Sequence, residues 1–160
     1  MNQIVSKTRE LTLRLGELTG RQMEKQTSIA LTGELGAGKT TFIQGLAKGL
    51  GVPEQYYVTS PTFNIINTYP ADRFTLCHLD LYRLESVDEL ETIGFDDLID
   101  DKCILAVEWP DLLSEISFEF DIEIEFKFDE HYNRVISMKP GAFFRRICEK
   151  LSRNCDFRFH

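Results

Sequence analysis

The sequence predicts an α/β fold, with a mainly parallel central sheet flanked by helices and an antiparallel edge near the C-terminus. Three observations carry that expectation. A short apolar run, Thr27 to Thr32, passes through a glycine-rich turn straight into a helical pattern from Lys39 to Leu50, as when a buried parallel strand feeds its covering helix. Two further buried runs, Phe74 to Leu79 and Cys103 to Val107, each stop at an acid. From Phe118 to Phe128 every second residue is apolar, the period of a strand with one wet face, and Arg134 to Met138 is placed to pair back on it.

The other elements follow in chain order. Leu11, Leu15 and Leu18 fall at helical spacing between Ser6 and about Met23, with Ser6 or Thr8 placed to cap the start. The Lys39 to Leu50 helix should stop at Gly51, with Pro53 beyond it. Phe63 to Tyr69 reads as a strand joined to the Phe74 run by the turn residues Pro70, Ala71 and Asp72. Ser86 stands three before Glu89, a capping-box spacing, so a short helix is expected there, ended by Gly94. Gly141 to Ser152 reads as a closing helix.

A chain of 160 residues has the length of one domain of about 100 to 200 residues, and no linker or repeat divides it. With 42% apolar and 28% charged residues it lies in the globular range, which excludes a disordered, collagen-like or membrane-embedded chain. Its net charge of −8 repels a polyphosphate backbone and argues against a primary nucleic-acid binder. Residues 139–160 are the exception, with six cations (Lys139, Arg145, Arg146, Lys150, Arg153, Arg158) against two anions, and read first as a solvated helix. Cys77, Cys103, Cys148 and Cys155 form no CxxC pair, and Cys77 and Cys103 lie in apolar runs, as reduced core thiols of a cytoplasmic protein would. The N-terminal stretch lacks the apolar core of a signal peptide, and no apolar run reaches membrane-spanning length.

Gly33, Glu34, Leu35, Gly36, Ala37, Gly38, Lys39 and Thr40 fit G-x-x-x-x-G-K-[ST] without a mismatch. This P-loop pattern gains weight from the strand before it and the helix after it, since unpaired N–H groups and the helix dipole then face the phosphates. The glycines let the backbone curl round a phosphate, Lys39 reaches the β and γ oxygens, Thr40 is placed to ligate Mg²⁺, and Thr41 to donate to the α-phosphate. A nucleotide-hydrolysing site also needs a carboxylate at a neighbouring strand end, and Asp80 and Glu108 both qualify. No NKxD segment marks guanine, and few arginines beyond Arg73 and Arg83 stand between Lys39 and Lys127 to build a kinase lid. ATP hydrolysis is therefore the first reading, and a P-loop small-molecule phosphotransferase the second.

Five motifs in one order resemble the TsaE family, bacterial ATPases that assist threonylcarbamoyladenosine modification of tRNA. They are GELGAGKTTF, then SPTF at Ser60 to Phe63, HLDLYR at His78 to Arg83, GFDDL at Gly94 to Leu98, and EWP at Glu108 to Pro110, within a resemblance that runs from about Thr12 to Pro110. The resemblance implies a protein that binds a threonylcarbamoyl transferase heterodimer of the TsaD and TsaB type, meeting tRNA only indirectly and no membrane. It also implies a switch-like SPT loop with Thr62 near the γ-phosphate, Asp80 and Glu108 serving Mg²⁺ and the reaction centre, and Thr12 and Trp109 joining the loop as nucleotide contacts. Asp80 is expected mainly to hold Mg²⁺ and Glu108 to orient water, the exchanged assignment remaining open. His78 reads as structural and Trp109 equally as a rim aromatic, while Tyr82 and Arg83 are left between a partner surface and a phosphate contact.

Overall fold

The computed structural model describes residues 2–99, 102–152 and 158–159; Arg153 and Cys155 lie outside them. Its strands are β1 (Asn2–Ser6), β2 (Thr27–Gly33), β3 (Ile66–Pro70), β4 (Thr75–Asp80), β5 (Cys103–Glu108), β6 (Ile122–Phe128), β7 (Arg134–Met138) and β8 (Arg158–Phe159). They form one sheet in the order β3-β4-β5-β2-β6-β7-β1-β8. The helices are α1 (Arg9–Arg21), α2 (Lys39–Leu50), α3 (Asp88–Thr92) and α4 (Ala142–Ser152), with 3₁₀ turns over Phe95–Leu98 and Pro110–Ile116.

The sheet is mixed, which corrects the expectation of a mainly parallel one. Parallel pairing is confined to the centre, β4 with β5, β5 with β2, and β2 with β6. Both flanks are antiparallel: β3 pairs β4 on one side, and β7, β1 and β8 extend β6 on the other. β1 replaces the expected helix start at Ser6. It pairs with a strand near the opposite end of the sequence, Asn2 opposite Met138, so no local signal announces it. The helix begins instead after Thr8, whose hydroxyl oxygen accepts from the Leu11 N–H at 3.2 Å, a side-chain N-cap.

Two strand starts also move. β3 begins at Ile66 because the chain turns through residues 62–64, where the Ile65 N–H donates to the Pro61 carbonyl at 2.7 Å and Ile65 takes a left-handed φ of 66°. β6 begins at Ile122 because Phe118 and Phe120 leave the ladder to pack edge-on against each other, with Phe118 also meeting Phe95. Asp121 pins the register there by accepting from the Ser28 N–H and hydroxyl at 2.8 and 2.9 Å.

One face of the sheet carries the long helices. Ile29, Leu31, Ile104, Ala106, Ile124 and Phe126 alternate towards α1, α2 and α4 in the larger core. Cys77, Leu79, Cys103, Leu105 and Val107 point the other way, towards the short α3 and the 3₁₀ turns. Period-two alternation thus divides β4 and β5 between two cores. α4 inserts Phe144, Ile147 and Leu151 and leaves Arg145, Arg146 and Lys150 in solvent. α1 and α2 touch backbone to backbone through glycines on both helices: a Cβ on Gly45 would lie 2.0 Å from the Leu13 carbonyl oxygen, and one on Gly16 would lie 2.1 Å from that of Phe42. That contact carries α2, and hence its N-terminus, at a fixed height over the sheet.

Candidate functional site

β2, β5 and β4 run parallel and adjacent, so their C-terminal ends open on one edge of the sheet. β2 delivers the glycine loop there, β5 delivers Glu108 and β4 delivers Asp80, with Asp80 and Glu108 in direct register. A cleft of about 420 Å³ forms between them, lined among others by Leu35, Gly36, Gly38, Lys39, Thr40 and Thr41 of the loop. Thr62, Asp80, Glu108 and Trp109 complete it.

Gly38 caps α2 with a φ of 108° and no side-chain partner, so the first N–H groups of the helix look into the cleft without a competing side chain. Gly36, at φ 79°, has nothing within 4 Å of where its Cβ would stand, and the loop is open on that side. Lys39 is only 4% exposed and donates to the carbonyls of Gly33 and Glu34 at 2.7 and 2.9 Å. Its ammonium lies 4.1 Å from the centre of the Trp109 ring. Burial pushes the Lys39 ammonium below the usual lysine range, and the Glu108 and Asp80 carboxylates pull it part of the way back.

The two acids are held differently. Glu108 Oε1 accepts from the Thr40 hydroxyl at 2.8 Å and lies 2.9 Å from His78 Nε2. Asp80 accepts from the Ser60 hydroxyl at 2.5 Å and from the Tyr82 N–H at 3.1 Å, and Ser60 in turn lies 3.2 Å from the Thr62 hydroxyl. Glu108 is therefore fastened to the glycine loop, and Asp80 to the Ser60–Phe63 loop. Trp109 takes a left-handed φ of 57° that lays its ring over Lys39 and 5.0 Å from Tyr82.

Most of the expected site residues converge. Gly33 and Glu34 contribute carbonyls to Lys39, and Ala37 is buried behind the loop. Thr12 lies outside the cleft lining, fully buried, with its hydroxyl 2.8 Å from that of Ser6. Arg134 was not foreseen. It stands at the start of β7, well past the last motif, yet its Nε would be 3.0 Å from a Cβ on Gly38. That Nε is buried without a hydrogen-bond partner, and Arg134 makes no ion pair among the described residues. A half-buried guanidinium beside a helix N-terminus and a lysine is a concentration of like charge that an anion would relieve.

The fold and the cleft define a class: a mixed α/β protein that offers a glycine loop at a helix N-terminus to two strand-end carboxylates and two cations. Comparison with known proteins gives the family. Residues 6–136 match the model of the threonylcarbamoyl adenosine biosynthesis protein TsaE. The tRNA threonylcarbamoyladenosine biosynthesis protein TsaE of Treponema pallidum (strain Nichols) is 35% identical over 134 residues, covering 84% of this chain and 97% of its own. That of Aquifex aeolicus (strain VF5) is 37% identical over 135 residues, covering 84% and 94%. The crystal structure of Bacillus subtilis YdiB superposes with a TM-score of 0.70 at 30% identity, over 98% of this chain and 97% of that one. The chain belongs to the TsaE family, which is involved in tRNA threonylcarbamoyladenosine biosynthesis.

Proposed function

We propose that the chain is a Mg²⁺-dependent ATPase that binds, according to its nucleotide state, a threonylcarbamoyl transferase heterodimer of the TsaD and TsaB type, and so supports modification of tRNA adenosine 37. The observation that carries the ATPase reading is the 2.8 Å hydrogen bond from Thr40 to Glu108. It joins the last residue of the loop motif to the strand-end acid of the neighbouring parallel strand, leaving the threonine oxygen's lone pairs for a cation held chiefly by phosphate oxygens.

The residues fit such a ligand. Loop N–H groups, Lys39 and Arg134 supply positive charge, Lys39 already facing Glu108 and Asp80 and Arg134 keeping its Nε without a hydrogen-bond partner among the described residues. Lys39 would exchange the carbonyls of Gly33 and Glu34 for phosphate oxygens, moving no backbone. Thr40, with Glu108 behind it, and Asp80 are the residues that would hold Mg²⁺. Bound Mg²⁺ would neutralise charge on the β and γ oxygens. Asp80 keeps Ser60 in place and Ser60 keeps Thr62, so the Ser60–Phe63 loop feels whatever Asp80 holds. This keeps Asp80 mainly on the metal side and linked to the Ser60–Phe63 loop, and leaves Glu108, fixed behind Thr40, to orient water.

The partner reading rests on the mouth of the cleft. Leu35 and Tyr82 line it at 81% and 62% exposure, and Phe63, 85% exposed, stacks on Arg83 of the same lining; exposed large apolar residues gathered round one opening mark a protein contact. A net charge of −8 disfavours direct tRNA binding. The proposal sets the protein in the reducing cytosol, where Cys77 and Cys103 stay as core thiols. Among the described residues no helix is long and apolar enough to cross a membrane.

Phosphate release from ATP·Mg²⁺ with no acceptor present tests the chemistry, with Lys39→Ala as the control that should lose binding by at least about 100-fold. Turnover that requires an added small-molecule acceptor would move the assignment to a phosphotransferase. Titration of the heterodimer in ATP-analogue, ADP and nucleotide-free states should show affinities differing by about 5- to 150-fold. Equal affinities would remove the nucleotide-dependent docking.

A further inference from the structure

His78 is fully buried, and its position in the sheet shows why it reaches Glu108. It sits on β4 opposite Ala106 of β5, two residues before Glu108 on the same face. The small Ala106 side chain leaves room for the imidazole to lean along the sheet, placing Nε2 2.9 Å from Glu108 Oε1. The other ring nitrogen, Nδ1, is buried with no partner. A bare lone pair in that position costs less than a stranded N–H, so the proton belongs on Nε2 and is donated to the carboxylate. Oε1 then accepts two hydrogen bonds, from Thr40 and from His78, and Oε2 accepts none among the described residues.

We infer that His78 is a positioning residue for Glu108: its Nε2–H, together with the Thr40 hydroxyl, saturates Oε1 and turns Oε2 alone towards the cleft, as the oxygen that aligns the attacking water. A strand residue fixed on both sides makes a better pivot than water, because the imidazole is packed by the core and cannot follow a change of ligand. The inference rests on the ATPase reading proposed above for Glu108, but its geometric half stands apart from it.

The test has two arms. In the first, ATP turnover and nucleotide affinity are measured for wild type, His78→Leu and His78→Gln, the glutamine amide reaching the place of Nε2. Turnover should fall at least about tenfold in His78→Leu with affinity and KM within about threefold, and His78→Gln should recover most of it. Equal losses in both variants, or an affinity loss matching the turnover loss, would reduce His78 to packing and overturn the inference. The second arm uses ¹⁵N NMR of the histidine ring in the nucleotide-free protein, which needs no activity. The expected result is the Nε2–H tautomer with a signal that shifts in Glu108→Ala; an Nδ1–H tautomer, or a signal indifferent to Glu108→Ala, would overturn it. A wild type without turnover but with the expected NMR result would sink the ATPase reading and leave the hydrogen-bond geometry standing.

Discussion

The α1–α2 layer and the strand-end cleft are both made of buried polar groups and closely approaching backbone, and they finish in opposite conditions. In the helix layer every such group is answered from within. Glu17, buried in α1, is held by Arg14 at 3.2 Å, Arg21 at 2.5 Å and Lys48 at 3.5 Å, and the glycines of one helix sit on the carbonyls of the other. Around the cleft some answers are missing: Arg134 Nε, beside Gly38, and His78 Nδ1, behind Glu108, have no hydrogen-bond partner among the described residues, while Lys39 leans on carbonyls and a ring. Incomplete satisfaction, more than burial or charge, is what separates the site from the scaffold here.

Glycine substitutions give the largest test of that contrast. Gly45→Ala should cost about 3 kcal/mol or more, because its Cβ meets a carbonyl oxygen on a helix that has no room to withdraw. Gly36→Ala meets nothing and should cost about 1 to 2 kcal/mol, from its positive φ alone. Urea unfolding of both decides it, and the comparison fails if Gly36→Ala is the more damaging to stability. Next comes Arg134→Ala, which should leave the unfolding midpoint within about 0.5 kcal/mol of wild type. ATP affinity should drop about tenfold, read from the fluorescence of Trp109, the chain's single tryptophan. A stability loss with unchanged affinity would return Arg134 to the scaffold.

The smallest effect is expected at Glu17. Burial opposes its ionisation, yet Arg14, Lys48 and Arg21 together hold its carboxyl below the usual glutamate range. A carboxyl lowered on folding stabilises the native state above the ordinary glutamate range, and the contribution is lost as pH falls through the lowered value. Glu17→Gln should therefore cost about 1 kcal/mol at pH 7 and progressively less towards pH 3, measured as urea midpoints at both. A constant difference across that range would mean the cations do not engage the charge.

The sequence made the centre of the sheet legible because its signals there are local. A strand, a glycine turn and a helix lie within 24 residues from Thr27 to Leu50, and the loop motif states its own backbone requirements. Asp80 and Glu108 were legible for a related reason, being the first acids after buried runs. β1 and Arg134 were not, since each owes its place to a pairing between the two ends of the chain, Ser6 opposite Arg134, that no periodicity records. Phe118 and Phe120 misled because alternation describes a face, and theirs belongs to an aromatic cluster beside the ladder. His78 read as structural because its neighbours are apolar, and only the register with Ala106 shows what it reaches.

The pairing of Ser6 with Arg134 also sets a timetable. During synthesis the glycine loop, Asp80 and Glu108 are all made before β7, and β1, made before any of them, waits for β7 to find its neighbour. Closure of so distant a pairing is entropically slow and comes late, whereas the parallel centre can form from nearer segments. Arg134 is thus delivered to the loop by one of the last contacts to form. A nascent chain holds the cradle without its final cation, and full grip on an anion is reserved for the molecule whose two ends have met.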